Sequence, residues 1–173
     1  MKQKIHQIDI ITDKLTNSIE NITTGDVFDT EVTQIHASNN KEILKKDWQF
    51  DWRHEIATSN KKIYKLTIRN NPKVIQGLIS LEDKKDHLFM HLIESAKFNK
   101  GKSKIYLGVP GNLVAFACQH SFIKGYDGYV SFISKSKLIE HYSESLGAKV
   151  LHGNTMIIDT SAALKLIQKY FNK

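Results

Sequence analysis

Between Ile63 and Ile93, three runs of aliphatic and β-branched residues follow one another with connections too short to hold a crossover helix. Ile63-Tyr64-Lys65-Leu66-Thr67-Ile68, Val74-Ile75-Gln76-Gly77-Leu78-Ile79-Ser80-Leu81 and His87-Leu88-Phe89-Met90-His91-Leu92-Ile93 each read as a strand. Arg69-Asn70-Asn71-Pro72 and the charged Glu82-Asp83-Lys84-Lys85-Asp86 separate them. Parallel neighbours need a dozen or more connecting residues, so these strands form an antiparallel meander.

Beyond Ile93 the period changes. A Gly- and Lys-rich loop, Phe98 to Gly111, leads into Asn112 to Phe122, which is apolar on most faces and long enough for a buried helix. Gly128 to Ile133 reads as a strand, and Ser136 to Leu146 as a helix closed by Gly147 in the left-handed conformation. A hairpin follows, Lys149 to His152 and Thr155 to Asp159, turned at Gly153-Asn154. Thr160 or Ser161 caps a last helix through Phe171. Strand, helix and strand in this order make a βαβ crossover, which sets the third meander strand and the Gly128 strand side by side and parallel. The fold class is therefore α/β (α+β): a mixed, mostly antiparallel sheet with a central crossover and flanking helices.

The first sixty residues carry weaker patterns. Ile5, Ile8, Ile10 and Ile11 suggest a short strand, Thr24-Gly25-Asp26 a turn, and Val27 to Ile35 an extended segment. From Asn40 to about Thr58, Ile43, Leu44, Trp48, Trp52 and Ile56 recur at near-helical spacing and predict one amphipathic helix with both tryptophans inward. At 173 residues, against a prior of about 150 per domain, the chain reads as one domain: residues 1–60, a core over 61–159, and a C-terminal helix over 160–173.

Composition narrows the function classes. With 40% hydrophobic and 25% charged residues the chain has enough apolar surface to bury a core. The longest apolar run, Leu113 to Cys118, is far short of the ~20 residues that span a bilayer. The single cysteine, Cys118, fits a reducing compartment, so a cytoplasmic location is expected. The +7 net charge attracts anions, but arginine stands only at Arg53 and Arg69, while base readout and bidentate phosphate clamping favour arginine. A phosphate-bearing small ligand is expected ahead of nucleic acid.

The order of elements, with Tyr106-Leu107-Gly108-Val109-Pro110-Gly111-Asn112-Leu113 opening the central helix and Leu138-Ile139-Glu140-His141-Tyr142-Ser143-Glu144-Ser145-Leu146-Gly147-Ala148 further on, resembles the GCN5-related N-acetyltransferase (GNAT) superfamily. The resemblance covers about Ile63 to Asp159 well and the first sixty residues loosely. It implies acetyl-CoA as cosubstrate, its pyrophosphate held by backbone amides at the start of the central helix, where the helix dipole favours anions. Val109, Gly111, Asn112 and Leu113 are the implied positions, with Lys135 also toward the cofactor. The family pattern Q/R-x-x-G-x-G/A is kept only at Gly111: Tyr106 stands at its first position, Val109 at its first glycine, and Pro110 removes one donor. Lys97, Lys100, Lys102 and Lys104 lie just upstream, either against phosphate charge or as a solvated loop.

The second stretch resembles the family signature F/L-Y-x-K/R-L-G-F/A, whose tyrosine protonates the leaving thiolate. Four residues separate Tyr142 from Gly147 where the family has three. Either the helix runs one residue further before its cap and Tyr142 keeps the role, or Ser143 takes the position and the acid is lost. Further implied are the amides around Leu92 and Ile93 toward pantetheine and the thioester carbonyl, and Glu94 as the base that accepts the amine proton. The resemblance thus implies an N-acetyltransferase acting on an unidentified amine. The alternatives are a catalytically inactive CoA- or protein-binding module of the same fold and, behind it, a nucleic-acid-binding protein. No membrane partner is expected, and a homodimer is left open. No metal is expected: His87 and His91 on one strand would stand about 13 Å apart at ~3.3 Å per residue. Cys118, inside an apolar helix, reads as a buried inert thiol.

Overall fold

The computed structural model describes residues 7, 8 and 19–171. The expected strand positions Ile5, Ile10 and Ile11 lie outside the described residues. In chain order the elements are β1 (Ile19–Asn21), β2 (Val27–Phe28), β3 (Thr30–Ile35), α1 (Trp52–Ala57), β4 (Lys62–Ile68), β5 (Gly77–Asp83), β6 (Leu88–Ser95), β7 (Tyr106–Leu107), α2 (Val109–Ile123), β8 (Val130–Ile133), α3 (Ile139–Leu146), β9 (Lys149–His152), β10 (Thr155–Ile158) and α4 (Thr160–Phe171). Seven strands form one sheet in the order β3-β4-β5-β6-β8-β10-β9. The meander β4-β5-β6 is antiparallel, β6 and β8 are parallel, and β9-β10 is the terminal hairpin. Among the described residues no helix is long and apolar enough to cross a membrane.

Strand alternation divides the core into two layers. Tyr64, Leu66, Ile79, Leu81 and Leu88 face α2, α3 and α4, where Leu113, Val114, Leu146 and Leu166 complete the larger cluster. On the opposite face Ile35, Ile63, Leu78 and Leu92 lie under Ile43, Trp48 and Trp52.

The single helix expected from Asn40 to Thr58 is not there. Residues Ala37–Glu42 and Lys45–Asp47 form two short 3-10 turns, the chain then extends, and only α1 is α-helical. The cause is a side chain on β6: the Glu94 carboxylate accepts the backbone N–H groups of Gln49 (2.8 Å) and Phe50 (3.2 Å), which a continuous helix would give to the carbonyls of Lys45 and Lys46. Asp51 then starts α1 by accepting the His54 N–H at 3.2 Å. Trp48 and Trp52 are still buried, as their spacing required.

Two smaller differences bear on the site. Helix α2 starts at Val109 rather than Asn112, with Pro110 in its first turn, where the missing N–H costs nothing. Tyr106 and Leu107 are not loop but strand: β7 pairs with β1, and β1 with β2, in a separate three-stranded sheet. That sheet fixes the entry into α2, and Gly108 makes the corner at φ +91°.

Candidate functional site

The parallel ladder between β6 and β8 covers only Leu88/Val130 and Phe89/Ser131. Two residues further on, β6 carries a bulge: Leu81 pairs with Met90 and Ser80 with Leu92, so His91 is an extra residue. A bulge bends the strand and raises its twist, which carries β6 away from β8. It also shifts the alternation, so that Met90 and Ile93 face α2 while Leu92 joins the α1 layer. Leu92-Ile93 on one side and Ile133-Ser134-Lys135 on the other are not paired with each other, and this break in the ladder defines the candidate slot.

Tyr142 sits on the α2 side of this slot, fully buried, its ring edge-on to Phe132 of β8 with centroids 5.3 Å apart. Its neighbour Ser143 is exposed. The extra residue before Gly147 is absorbed at the helix end, where the Gly147 N–H reaches back five residues to the Tyr142 carbonyl and Ala148 donates to the same oxygen at 3.3 Å. Tyr142 therefore stays on the buried side of α3.

The first turn of α2 is covered. Val109, Pro110, Gly111, Asn112 and Leu113 are all buried. α4 lies along α2, and a Cβ built on Gly111 would stand 1.8 Å from the Tyr170 hydroxyl. Tyr170 is itself only 2% exposed, so its ring cannot swing into solvent without leaving the core. Gly111→Ala is expected to lose about 1–3 kcal/mol by overpacking, more than the ~1 kcal/mol that alanine gains in a helix. Urea denaturation of the single variant and of Gly111→Ala with Tyr170→Ala checks this, because the two losses should fall short of additivity.

No family model and no curated protein matches the chain. Solved structures do. The KacTA–DNA complex matches with a TM-score of 0.51 at 10% identity, over 80% of this chain and 99% of that one. The chain has the GNAT fold. AtaTR bound with acetyl-CoA (TM-score 0.48, 14% identity, 80% of this chain and 98% of that one) and a spermidine N-acetyltransferase SpeG chimera from Vibrio cholerae and hSSAT (0.49, 14%, 79% and 98%) also match.

In this GNAT fold Glu94 is 1% exposed and takes part in four hydrogen bonds. Its Oε1 accepts from Phe50 N–H and Trp52 Nε1–H (2.9 Å), and its Oε2 from Gln49 N–H and Lys100 Nζ (2.9 Å). The carboxylate ties residues 49–52 to β6. Of the upstream lysines, Lys100 is bonded to Glu94 and Lys97 to the Lys46 carbonyl. Among the described residues no group of three His, Cys, Asp or Glu could hold a metal. Burial raises the Cys118 thiol pKa well above the ordinary range.

The bulge residue His91 escaped sequence reading, which weighed it only as half of a metal pair. It is 4% exposed, and its Nε2 meets Glu82 Oε1 at 2.6 Å. Burial alone would raise Glu82, but hydrogen bonds from His91 and Lys84 outweigh it and hold the carboxyl below its usual range, so the ionised carboxylate accepts from Nε2–H. Nδ1 then carries the lone pair, and it has no hydrogen-bond partner among the described residues. The buried Glu55–Lys61 ion pair (3.0 Å) also acts on the ring. Burial and the Lys61 charge outweigh Glu82 and Glu55 and push His91 below its ordinary pKa of 6.5.

The sign of the linkage follows. Below pH 6.5 the unfolded chain binds a proton at His91 that the folded state refuses, so stability falls as pH drops through that value, by at most ~1.4 kcal/mol per pH unit per such group. His120, lowered mainly by burial, adds in the same direction. Denaturation midpoints at pH 7.5 and 5.5 should show the drop, and His91→Gln should shrink it.

Proposed function

We propose that the chain is an N-acyltransferase that moves an acetyl group from acetyl-CoA to an amine. The observation that supports this reading is the end of the β6–β8 ladder at the His91 bulge: beyond Phe89 and Ser131 the two adjacent parallel strands no longer pair with each other. The thiol end would lie on the side of α2 and α3, and the amine would approach from the side of α1. Leu92 and Ile93 would present amides to the pantetheine arm and the thioester carbonyl. Val109, Gly111, Asn112, Leu113 and Lys135 would meet the pyrophosphate, which requires the end of α4 at Tyr170 to move off Gly111.

In the transfer, the amine lone pair forms the C–N bond, the C–S bond breaks, Tyr142 gives its hydroxyl proton to the thiolate, and the amine proton goes to a base. We assign the base to His91 Nδ1 rather than Glu94. Glu94 already accepts four hydrogen bonds, whereas Nδ1 is a neutral, unpaired acceptor held in place through Nε2 by Glu82. His91→Gln should remove the acid limb of the pH–rate profile, the fall in rate as the imidazole takes up a proton, while leaving acetyl-CoA binding in place.

Calorimetric titration with acetyl-CoA, followed by thiol release in the presence of a polyamine, a lysine-bearing peptide and a peptide with a free N-terminus, tests the reading. Saturable binding with amine-dependent thiol release is expected; no binding at millimolar concentration would overturn it. A second reading, a catalytically inactive module of this fold that binds a protein partner, is favoured by one observation: the first turn of α2 is buried, with Tyr170 of α4 packed on Gly111. A folded chain that shows no acetyl-CoA binding would select it.

A further inference from the structure

On the edge of β8 that faces β6, the Tyr129 carbonyl accepts the Leu88 N–H, so Ser131, Ile133 and Lys135 present their backbone groups along that same edge. Past Phe89 and Ser131 the β6 ladder has ended, yet the edge is not vacant. The Ile8 N–H donates to the Ile133 carbonyl at 2.5 Å, and the Lys135 N–H donates to the Ile8 carbonyl at 3.2 Å, in a parallel bridge centred on Ser134. The other edge of β8 at Ser134 is taken by Asn154, so Ile8 lies on the slot side. Its side chain is 2% exposed and belongs to the same apolar cluster as Phe132 and Tyr142.

We propose that Ile8 is a built-in strap on the slot: added to β8 as a strand residue, it fills the space beside Leu92 and Ile93 of β6 that the amide-bearing arm of an acyl-CoA would take, and the arm binds only when Ile8 leaves. This rests on the acyltransferase reading above. The chemistry of the two occupants is alike. Each offers an amide N–H and a carbonyl at strand spacing, and each places an apolar group toward Phe132 and Tyr142. Because both cannot lie between β6 and β8 at once, occupancy by Ile8 reduces the apparent affinity for acyl-CoA by the fraction of molecules whose slot is vacant.

The test uses the full chain and acetyl-CoA. In wild type, the Ile8 amide should be protected from hydrogen exchange without acetyl-CoA and should lose that protection at saturation. Ile8→Asp, which sets a charge against the apolar cluster, should tighten acetyl-CoA binding by about tenfold or more. Ile8→Ala, which keeps the backbone and removes most of the side-chain grip, should act in the same direction by less. Should the Asp variant fail to fold by circular dichroism, the exchange measurement on wild type and the Ala variant decide the question. Acetyl-CoA binding of equal strength in wild type and variants, with Ile8 still protected, would overturn the strap and leave the acyltransferase reading intact. Absence of acetyl-CoA binding in all of them would instead overturn that reading.

Discussion

Glu94→Ala is expected to lower the stability of the fold by about 3–5 kcal/mol, the combined loss from the N–H donors it leaves without an acceptor. The carboxylate is 1% exposed and accepts from two backbone amides, the Trp52 indole and Lys100. Alanine leaves the N–H groups of Gln49 and Phe50 and the indole N–H without acceptors, each costing about 1–3 kcal/mol where water cannot reach, while Lys100 at the rim recovers in solvent. Residues 49–52 then lose their tie to β6, and with it the packing of Trp48 and Trp52 over Leu78 and Leu92. Glu94→Gln should lose less, because one oxygen still accepts, although its NH₂ group now faces a donor. Urea denaturation with tryptophan fluorescence reports both the loss and the exposure of the two indoles. A loss below ~1 kcal/mol would show that the extended segment is held by its apolar contacts alone.

The same residue explains where sequence reading stopped. Ile63 to Ile93 were legible because strand alternation and short connections are local facts, and the crossover followed from order alone. The cap at Gly147 and the turn at Gly153 were legible because both need a positive φ, found at +68° and +52°. The helix expected at Asn40 to Thr58 failed because its amides go to a side chain 44 and 45 residues away, which no local period can reveal. Pairing of Ile19–Asn21 with Tyr106–Leu107 is equally non-local, and so is the packing of Tyr170 on Gly111. Of the proposed site, Tyr142 was named from its signature, and the structure places its ring on the buried side of α3. His91 was not, since nothing in the sequence announces the bulge that buries its ring beside Glu82; Ser80 opposite Leu92 and Leu81 opposite Met90 define it only once the strands are paired.

Tyr142→Phe is expected to slow thiol release by ~10²- to 10⁴-fold, the range for loss of a positioned general acid, with acetyl-CoA affinity almost unchanged. The substitution isolates the hydroxyl. The ring is fully buried and packs edge-on against Phe132, a contact that phenylalanine keeps. Its backbone carbonyl, which accepts from Gly147 and Ala148 and so closes α3 around the extra residue, is untouched. Ser143, the alternative created by the one-residue offset, points to solvent and cannot deliver a proton into the slot, so Ser143→Ala should leave the rate as it was. The thiolate's need for a proton depends on its leaving ability, so the Phe variant should recover part of its rate with an acyl donor whose thiol is more acidic, whereas a variant that had merely loosened the core would not. A Phe variant that turns over at the wild-type rate would make Tyr142 a packing residue, assign the proton to water, and leave His91 as the group on which the acid–base chemistry of the slot depends.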